Sequence, residues 1–236
     1  AIDVIFSAAK TIGAYGNITR AAGGIAGVFN AEKSTLERSP NLLGWIGKPL
    51  KVRLEQALGV PVFFENDAAI VALGEAHYGA GKNFSIVEYL TVSTGVGGAR
   101  VVDGIIDERS VGFEPGQEII TVENEGPVTL ENTVSGKAIE KRFGKKPKEV
   151  VDPFVWEELA EKLAYGVYNT IVLWSPDVVV LGGPMITGDP AIPISRVEFH
   201  LARILKIFPK PPVIKQAELG VLGGLWGALE FVKGTK

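Results

Sequence analysis

The chain of 236 residues contains no cysteine, one methionine and two histidines. The lack of thiols excludes disulfides, thiolate nucleophiles and thiolate metal sites, and says little about compartment. His77 and His200 have no ligand partners at metal spacing, so both read as structural or surface residues. Charge of one sign is also scarce: 24 Lys and Arg face 27 Asp and Glu, a net charge of −3. No basic stripe points to nucleic acid, and no polybasic segment points to a membrane. Long apolar runs are missing. The longest, such as Val178 to Gly183, have the length of a strand, which argues against a bilayer span. No signal peptide is recognisable. The first residue is Ala1 rather than Met, which suggests a processed product or a fragment of a longer one.

Hydrophobic residues make up 46% of the chain, ample for a packed core in one or two domains. Apolar residues at helical spacing predict helices over Ile2 to Gly16, Lys48 to Val60, Asp67 to Tyr78 and Phe154 to Pro176. A further helix is expected over Val128 to Gly144, interrupted near Ser135 and Gly136. Others are expected over SRVEFHLARILKIF and at the glycine-rich C-terminus, where small residues imply close packing. Strands are expected in Ile18 to Asn30, at Pro61 to Phe64, over DVVVLGG and near Val213 to Ala217. Ser85 to Ser93 and Gly98 to Val102 read as a hairpin, followed by a turn at Asp103 and Gly104. Gly79 to Asn83 looks like a hinge. Strands alternating with helices make the chain mixed α/β.

The hairpin turn Ser93-Thr94-Gly95-Val96-Gly97-Gly98 carries chemistry of its own. Successive glycine amides approach an anion unhindered by Cβ, and the two hydroxyls add donors, so the turn fits a phosphate clamp. It equally fits a hairpin turn that needs positive φ. A strand rather than a helix follows it and no Gly-Lys-Ser/Thr ends it, so it is neither a Rossmann fingerprint nor a P-loop. Glu65-Asn66-Asp67 sits where a strand gives way to a helix. It offers either a proton-accepting carboxylate beside an orienting amide, or simply an N-cap. Glu114 and Gln117 lie on a loop and suit polyol hydroxyls or a surface turn. Glu131 alone reads as a solvated helix residue. Asn41, in the turn Ser39-Pro40-Asn41, can cap or bind. Gly182 and Gly183 end a buried strand, where they can admit a flat ligand or turn the chain.

The ordered series SPNLLGW, PVFFENDA, ALGEAHYGAGK, LTVSTGVGGARVVDG, GFEPGQEI, LENTVSGKAIEKRFG, DVVVLGGP and LGVLGGLWGAL resembles the ROK family of sugar kinases and sugar-responsive repressors, from about Ile18 onward. The resemblance implies the two-lobed ribonuclease-H-like fold of the actin/hexokinase superfamily. Residues 1–82, joined by the C-terminal helix 221–236, would form the small lobe, and residues 83–220 the large one. It implies an ATP-dependent hexose kinase using Mg²⁺, cytoplasmic and homo-oligomeric, most simply a dimer. Asp67 would be the catalytic base. Asn41, Asn66, Asp67, Glu114, Gln117 and Glu131 would hold the sugar. Thr94, Gly95, Gly97 and Gly98 would hold nucleotide phosphates, with Gly182 and Gly183 beside the adenosine.

The chain departs from the family pattern in three places. Its Glu-x-Gly-His motif reads Glu114-Pro115-Gly116-Gln117, its cysteine-rich zinc loop is absent, and nothing matches the Asp-x-Gly-Gly-Thr of the first phosphate loop. No zinc is therefore expected. The first lobe is expected to be N-terminally truncated and to expose a strand edge. The alternatives are a non-catalytic sugar- or nucleotide-binding relative, or a repressor without its DNA-binding part.

Overall fold

In the computed structural model, which describes residues 2–14, 16–39, 41–107 and 112–234, the chain opens with helix α1 (Ile2–Gly13). The helix stops at its first glycine rather than at Gly16, because glycine costs about 1 kcal/mol relative to alanine inside a helix. Tyr15 and Pro40, within two of the segments read from sequence, lie outside the described residues. Strands β1 (Ala21–Ile25), β2 (Val28–Phe29) and β3 (Leu36–Arg38) lead to α2 (Leu50–Leu58), β4 (Val62–Asn66) and α3 (Asp67–Tyr78). Gly59 ends α2 in the left-handed region at φ 71°, where a side chain would be strained. β1 and β4 pair in parallel, with Ile25 opposite Asn66. Leu36, Leu50, Leu54, Val62 and Phe64 fill a core of their own beneath this pair.

The second half builds a larger sheet. It comprises β5 (Ile86–Val92), β6 (Val96–Val102) and β7 (Ile105–Ile106), then, after the hairpin β8 (Ile119–Glu123) and β9 (Gly126–Thr129), strands β10 (Val178–Gly182) and β11 (Val213–Gln216). Its order is β11-β10-β5-β6-β7; β11, β10 and β5 run parallel and β6 and β7 antiparallel. Every residue of β10 is buried, as a parallel strand covered on both faces requires. Helices α4 (Glu131–Val134), α5 (Gly136–Phe143), α6 (Pro153–Trp174), α7 (Pro184–Thr187), α8 (Ile194–Ile204) and α9 (Gly223–Gly234) complete the chain. The break expected at Ser135 is real. Its hydroxyl accepts the Ala138 N–H at 3.1 Å and caps α5.

α6 and α8 cover one face of the sheet over Leu90, Val92, Val179 and Leu181. α3 covers the other face, setting Ala69, Ala72 and Leu73 on Val87, Tyr89, Val178 and Val180. Each fully buried Val or Leu among them contributes about 1.5–3 kcal/mol. α9 crosses α3 at van der Waals limits: a Cβ on Gly227 would lie 1.7 Å from the Ile70 carbonyl oxygen, and one on Gly74 2.6 Å from that of Gly223. Among the described residues no helix is long and apolar enough to cross a membrane.

Candidate functional site

The carboxyl ends of β4, β5 and β10 come together, and ligands of open α/β sheets bind at such strand ends. At the end of β4 the cap and the candidate base are two different residues. Asn66 is the cap, its side chain accepting the Ala69 N–H at 3.2 Å while its amide nitrogen donates to the Gly27 carbonyl at 3.4 Å. That leaves Asp67 as the first helical residue, with an exposed carboxylate at the positive end of α3. The protein around it raises its pKa above the ordinary aspartate value through desolvation, opposed by the backbone amides of Ala68 and of Asp67 itself. Glu65 does no exposed chemistry. It is buried, pairs with Lys33 and accepts the Asn66 N–H at 2.7 Å.

The turn between β5 and β6 is shorter than the sequence spacing suggests. β6 begins at Val96, so Gly97 and Gly98 lie inside it, opposite Thr91 and Leu90. None of Gly95, Gly97 and Gly98 has positive φ, so the hairpin reading based on backbone handedness fails. Close approach requires glycine at Gly98 and crowds the other two less severely. A Cβ on Gly95 would meet Glu131 Oε2 at 2.5 Å, one on Gly97 the Ala68 Cβ at 3.3 Å, and one on Gly98 the Leu90 side chain and Tyr89 carbonyl at 2.7 Å. The turn does receive an anion from within the chain: Glu131 Oε2 accepts the Val96 N–H at 2.9 Å. Ser93 and Thr94 turn their carbonyls to the start of α5, accepting the Gly136 N–H at 2.7 Å and the Lys137 N–H at 3.3 Å.

Glu131 is half-buried and links the turn to the loop before β8, since Gln117 donates to its Oε1 at 3.5 Å. Glu114, three residues earlier, keeps an exposed face, yet its carboxyl is raised above the usual range, first by desolvation and then by the charges of Glu131 and Asp67. Glu131 and Asp67 are thus near enough to Glu114 for their charges to act on it. Asn41 is exposed. Its N–H reaches Ser39 Oγ at 3.4 Å, and the Ser39 hydroxyl donates to Ala26, next to the Gly27 that Asn66 holds.

On β10, Gly182 is buried, and a Cβ there would strike the Tyr89 hydroxyl at 2.7 Å, so packing alone requires glycine. Gly183 has φ 86° and passes so close to β5 that a Cβ would lie 2.4 Å from the Val92 carbonyl, beside the turn. The sequence reading missed Glu75, a fully buried carboxylate (0% exposed) on α3. It accepts N–H groups from Ala80 at 2.9 Å, Glu218 at 3.2 Å and Leu219 at 2.9 Å. No sequence signal separates it from a solvated helix glutamate. Among the described residues no three His, Cys, Asp or Glu side chains gather as metal ligands.

A model of the ROK family matches residues 3–235. A fructokinase from Pediococcus pentosaceus is 26% identical over 198 residues, covering 79% of this chain and 69% of its own length. A xylose repressor from Caldicellulosiruptor bescii is 28% identical over 194 residues, covering 67% of this chain and 48% of its own length. The chain spans about half the length of the curated relatives it matches first. Among solved structures, a ROK hexokinase from Thermus thermophilus superposes with a TM-score of 0.80 at 27% identity, over 99% of this chain and 87% of that one. A ROK family glucokinase from Streptomyces griseus, in complex with glucose and AMPPNP, superposes at 0.79 and 24% identity, over 98% of this chain and 86% of that one.

Proposed function

The chain belongs to the ROK family and has its actin/hexokinase-like α/β fold, and from that premise we propose that it is an ATP-dependent hexose kinase. The observation that carries the reading is the convergence of Asp67, Glu114 and Glu131 beside the Ser93 to Gly95 turn. Carboxylates accept hydrogen bonds from sugar hydroxyls, and glycine-lined amides suit phosphate oxygens. Asp67 takes the proton of the attacking hydroxyl while Glu114, Gln117, Glu131, Asn66 and Asn41 orient the sugar. Phosphoryl transfer depends mainly on such positioning and on charge stabilisation, so a weak base suffices. Thr94, Gly95, Gly97 and Gly98 line the phosphate side, with Gly182 and Gly183 toward the nucleoside. Mg-ATP enters as the co-substrate, its ion keeping most of its waters. Residues 1–82 with the C-terminal segment from 221 form one lobe and 83–220 the other; the packing of α9 on α3 supports joining the C-terminus to the first, while α3 itself also covers the large sheet.

The test is ADP release from Mg-ATP over a hexose panel, with Asp67→Asn alongside. The expected loss is about 10²–10⁴-fold in kcat, with hexose affinity kept within a few-fold. A mutant that turns over like the wild type would remove Asp67 from its role. A second reading, hexose binding without transfer, is favoured by one feature: the Val96 amide is already bonded to Glu131. Calorimetric binding of a hexose with no turnover would establish it instead.

A further inference from the structure

The hairpin of β2 and β3 is fastened to the last three residues of β4, one after another. Phe29 stacks on Phe64, with ring centroids 5.8 Å apart and planes 14° from parallel. Lys33, at the tip of the hairpin, pairs through Nζ with Oε2 of the buried Glu65. The Asn66 side chain donates to the carbonyl of Gly27, at the base of the hairpin, at 3.4 Å. The other oxygen of Glu65, Oε1, accepts the Asn66 N–H at 2.7 Å. Two polar contacts therefore lead from Lys33 to the backbone that opens α3, where Asp67 is the first residue. The Asp67 backbone also lies against β1: a Cβ on Gly24, the residue paired with Glu65, would come within 2.8 Å of the Asp67 Cα.

Lys33 reaches Glu65 from a conformation that lysine seldom adopts. Its φ is 49°, in the left-handed region where a Cβ is disfavoured. The tip of the hairpin enforces it. Asn30 Oδ1 accepts the N–H groups of Ser34 and Thr35, both at 2.9 Å, and the Lys33 N–H donates to the Asn30 carbonyl at 2.9 Å. Asn30 Nδ2 donates to Glu32 at 2.7 Å and to the Ser34 hydroxyl at 3.0 Å. Glycine at position 33 would close this loop with less strain. The strained residue instead delivers an ammonium to a buried carboxylate. Removing one partner of such a pair leaves the other charge poorly compensated. Glu65 would then turn toward water and release the Asn66 N–H.

We propose that Lys33 is a positioning residue for Asp67: its ion pair with Glu65 fixes the end of β4 and so sets the Asp67 carboxylate against the reacting hydroxyl. The reacting hydroxyl rests on the hexose-kinase reading above; the fixing of the junction between β4 and α3 does not. Loss of Lys33 leaves Asn66 its bonds to Ala69 and Gly27, so hexose binding survives. What is lost is alignment, to which the transfer step is far more sensitive.

The test compares the wild type with Lys33→Met, Lys33→Arg and Lys33→Gly in three measurements: hexose-dependent ADP release from Mg-ATP, thermal unfolding, and the amide NMR signals of Asn66 and Asp67. Lys33→Met should lower kcat about 10- to 100-fold, keep the hexose KM within a few-fold and shift both amide signals. Lys33→Arg keeps the charge and should return kcat to within a few-fold of wild type, with both signals back in place. Lys33→Gly relieves the left-handed residue, so it should melt at or above Lys33→Met and yet be as slow. If Lys33→Gly regains kcat along with stability, the loss follows stability and the positioning role is refuted. Wild-type kcat in Lys33→Met refutes it too, as do Asn66 and Asp67 signals that stay where they were. If the wild type turns over no hexose, the hexose-kinase reading fails, and the amide signals in the Met and Arg variants still decide whether Lys33 fixes the junction. Should Lys33→Met not fold, Lys33→Gly removes the same charge and carries the comparison with Lys33→Arg.

Discussion

Glu131 Oε2 accepts the backbone N–H of Val96 at 2.9 Å, so one carboxylate holds the turn between β5 and β6 while its other oxygen faces Gln117. Glu131→Gln keeps the shape and removes the charge. A hydrogen bond to a charged group is worth about 1.5–3 kcal/mol, so hexose affinity should fall by about 10- to 100-fold. A nucleotide analogue should bind about as well as before, because the glutamine carbonyl still accepts the Val96 N–H and holds the turn. Calorimetry with each ligand separately reads both effects. Equal losses for the two ligands would reduce Glu131 to a structural brace.

The crossing of α9 over α3 sets a stability prediction with an internal control. A Cβ on Gly227 would lie 1.7 Å from the Ile70 carbonyl oxygen, whereas one on Gly224 meets nothing within 4 Å. Gly227→Ala must push two backbones apart and should cost about 3 kcal/mol or more, at or above the usual overpacking range. Gly224→Ala should be neutral or stabilising by up to about 1 kcal/mol. Urea unfolding distinguishes them; equal midpoints would mean that the helices do not meet as described.

The elements built by local chemistry were legible in the sequence. α3 runs from Asp67 to Tyr78 as its periodicity predicts, β10 is the buried apolar run, and the Ser135 break is a cap that serine chemistry announces. The start of β6 was misread because glycines signal turns, while here Gly98 is needed for what packs against it, a fact of tertiary structure. The hairpin of β8 and β9 was missed because its strands are short and none of their residues is fully buried, so no alternation of apolar and polar residues marks them. For the site, motif order brought Asp67, Glu114 and Glu131 together on paper. Nothing local tells that Glu75 and Glu88 are fully buried, since a charged residue in a helix or strand reads as solvated until the partner elements are in place.

Burial of Glu88 also makes stability depend on pH in a definite direction. Its folded pKa of about 8 exceeds the ordinary 4.5, so the folded protein binds the proton more tightly than the unfolded chain. Its contribution is fully present below about pH 4.5 and is lost as pH rises toward 8. The slope approaches about 1.4 kcal/mol per pH unit for one proton. Thermal unfolding of the wild type should therefore show a melting temperature that declines from pH 5 to pH 8, and Glu88→Gln should flatten that decline. A wild-type curve that rises over the same range, and a variant with the same slope, would contradict the assignment.

Glu75 makes the strongest claim on the connection between the two halves of the chain. Its carboxylate accepts the N–H of Ala80 on one connecting segment and those of Glu218 and Leu219 on another, residues far apart in sequence. The segment around Ala80 also bends over it: a Cβ on Gly79 would lie 2.1 Å from Glu75 Oε2, so that glycine is required by close approach. Removing the acceptor strands three amides, each costing about 1–3 kcal/mol if left buried. Glu75→Ala should thus lose at least about 3 kcal/mol, while Glu75→Gln, which keeps one good acceptor, should lose about 1–2 kcal/mol. Amide hydrogen exchange locates the effect. Ala80, Glu218 and Leu219 should all lose protection together in the alanine variant, whereas Val87 and Val179, fully buried in the large sheet, should change only by the global loss of stability. Independent changes at the two segments would mean that each is held by other contacts and that Glu75 does not couple them.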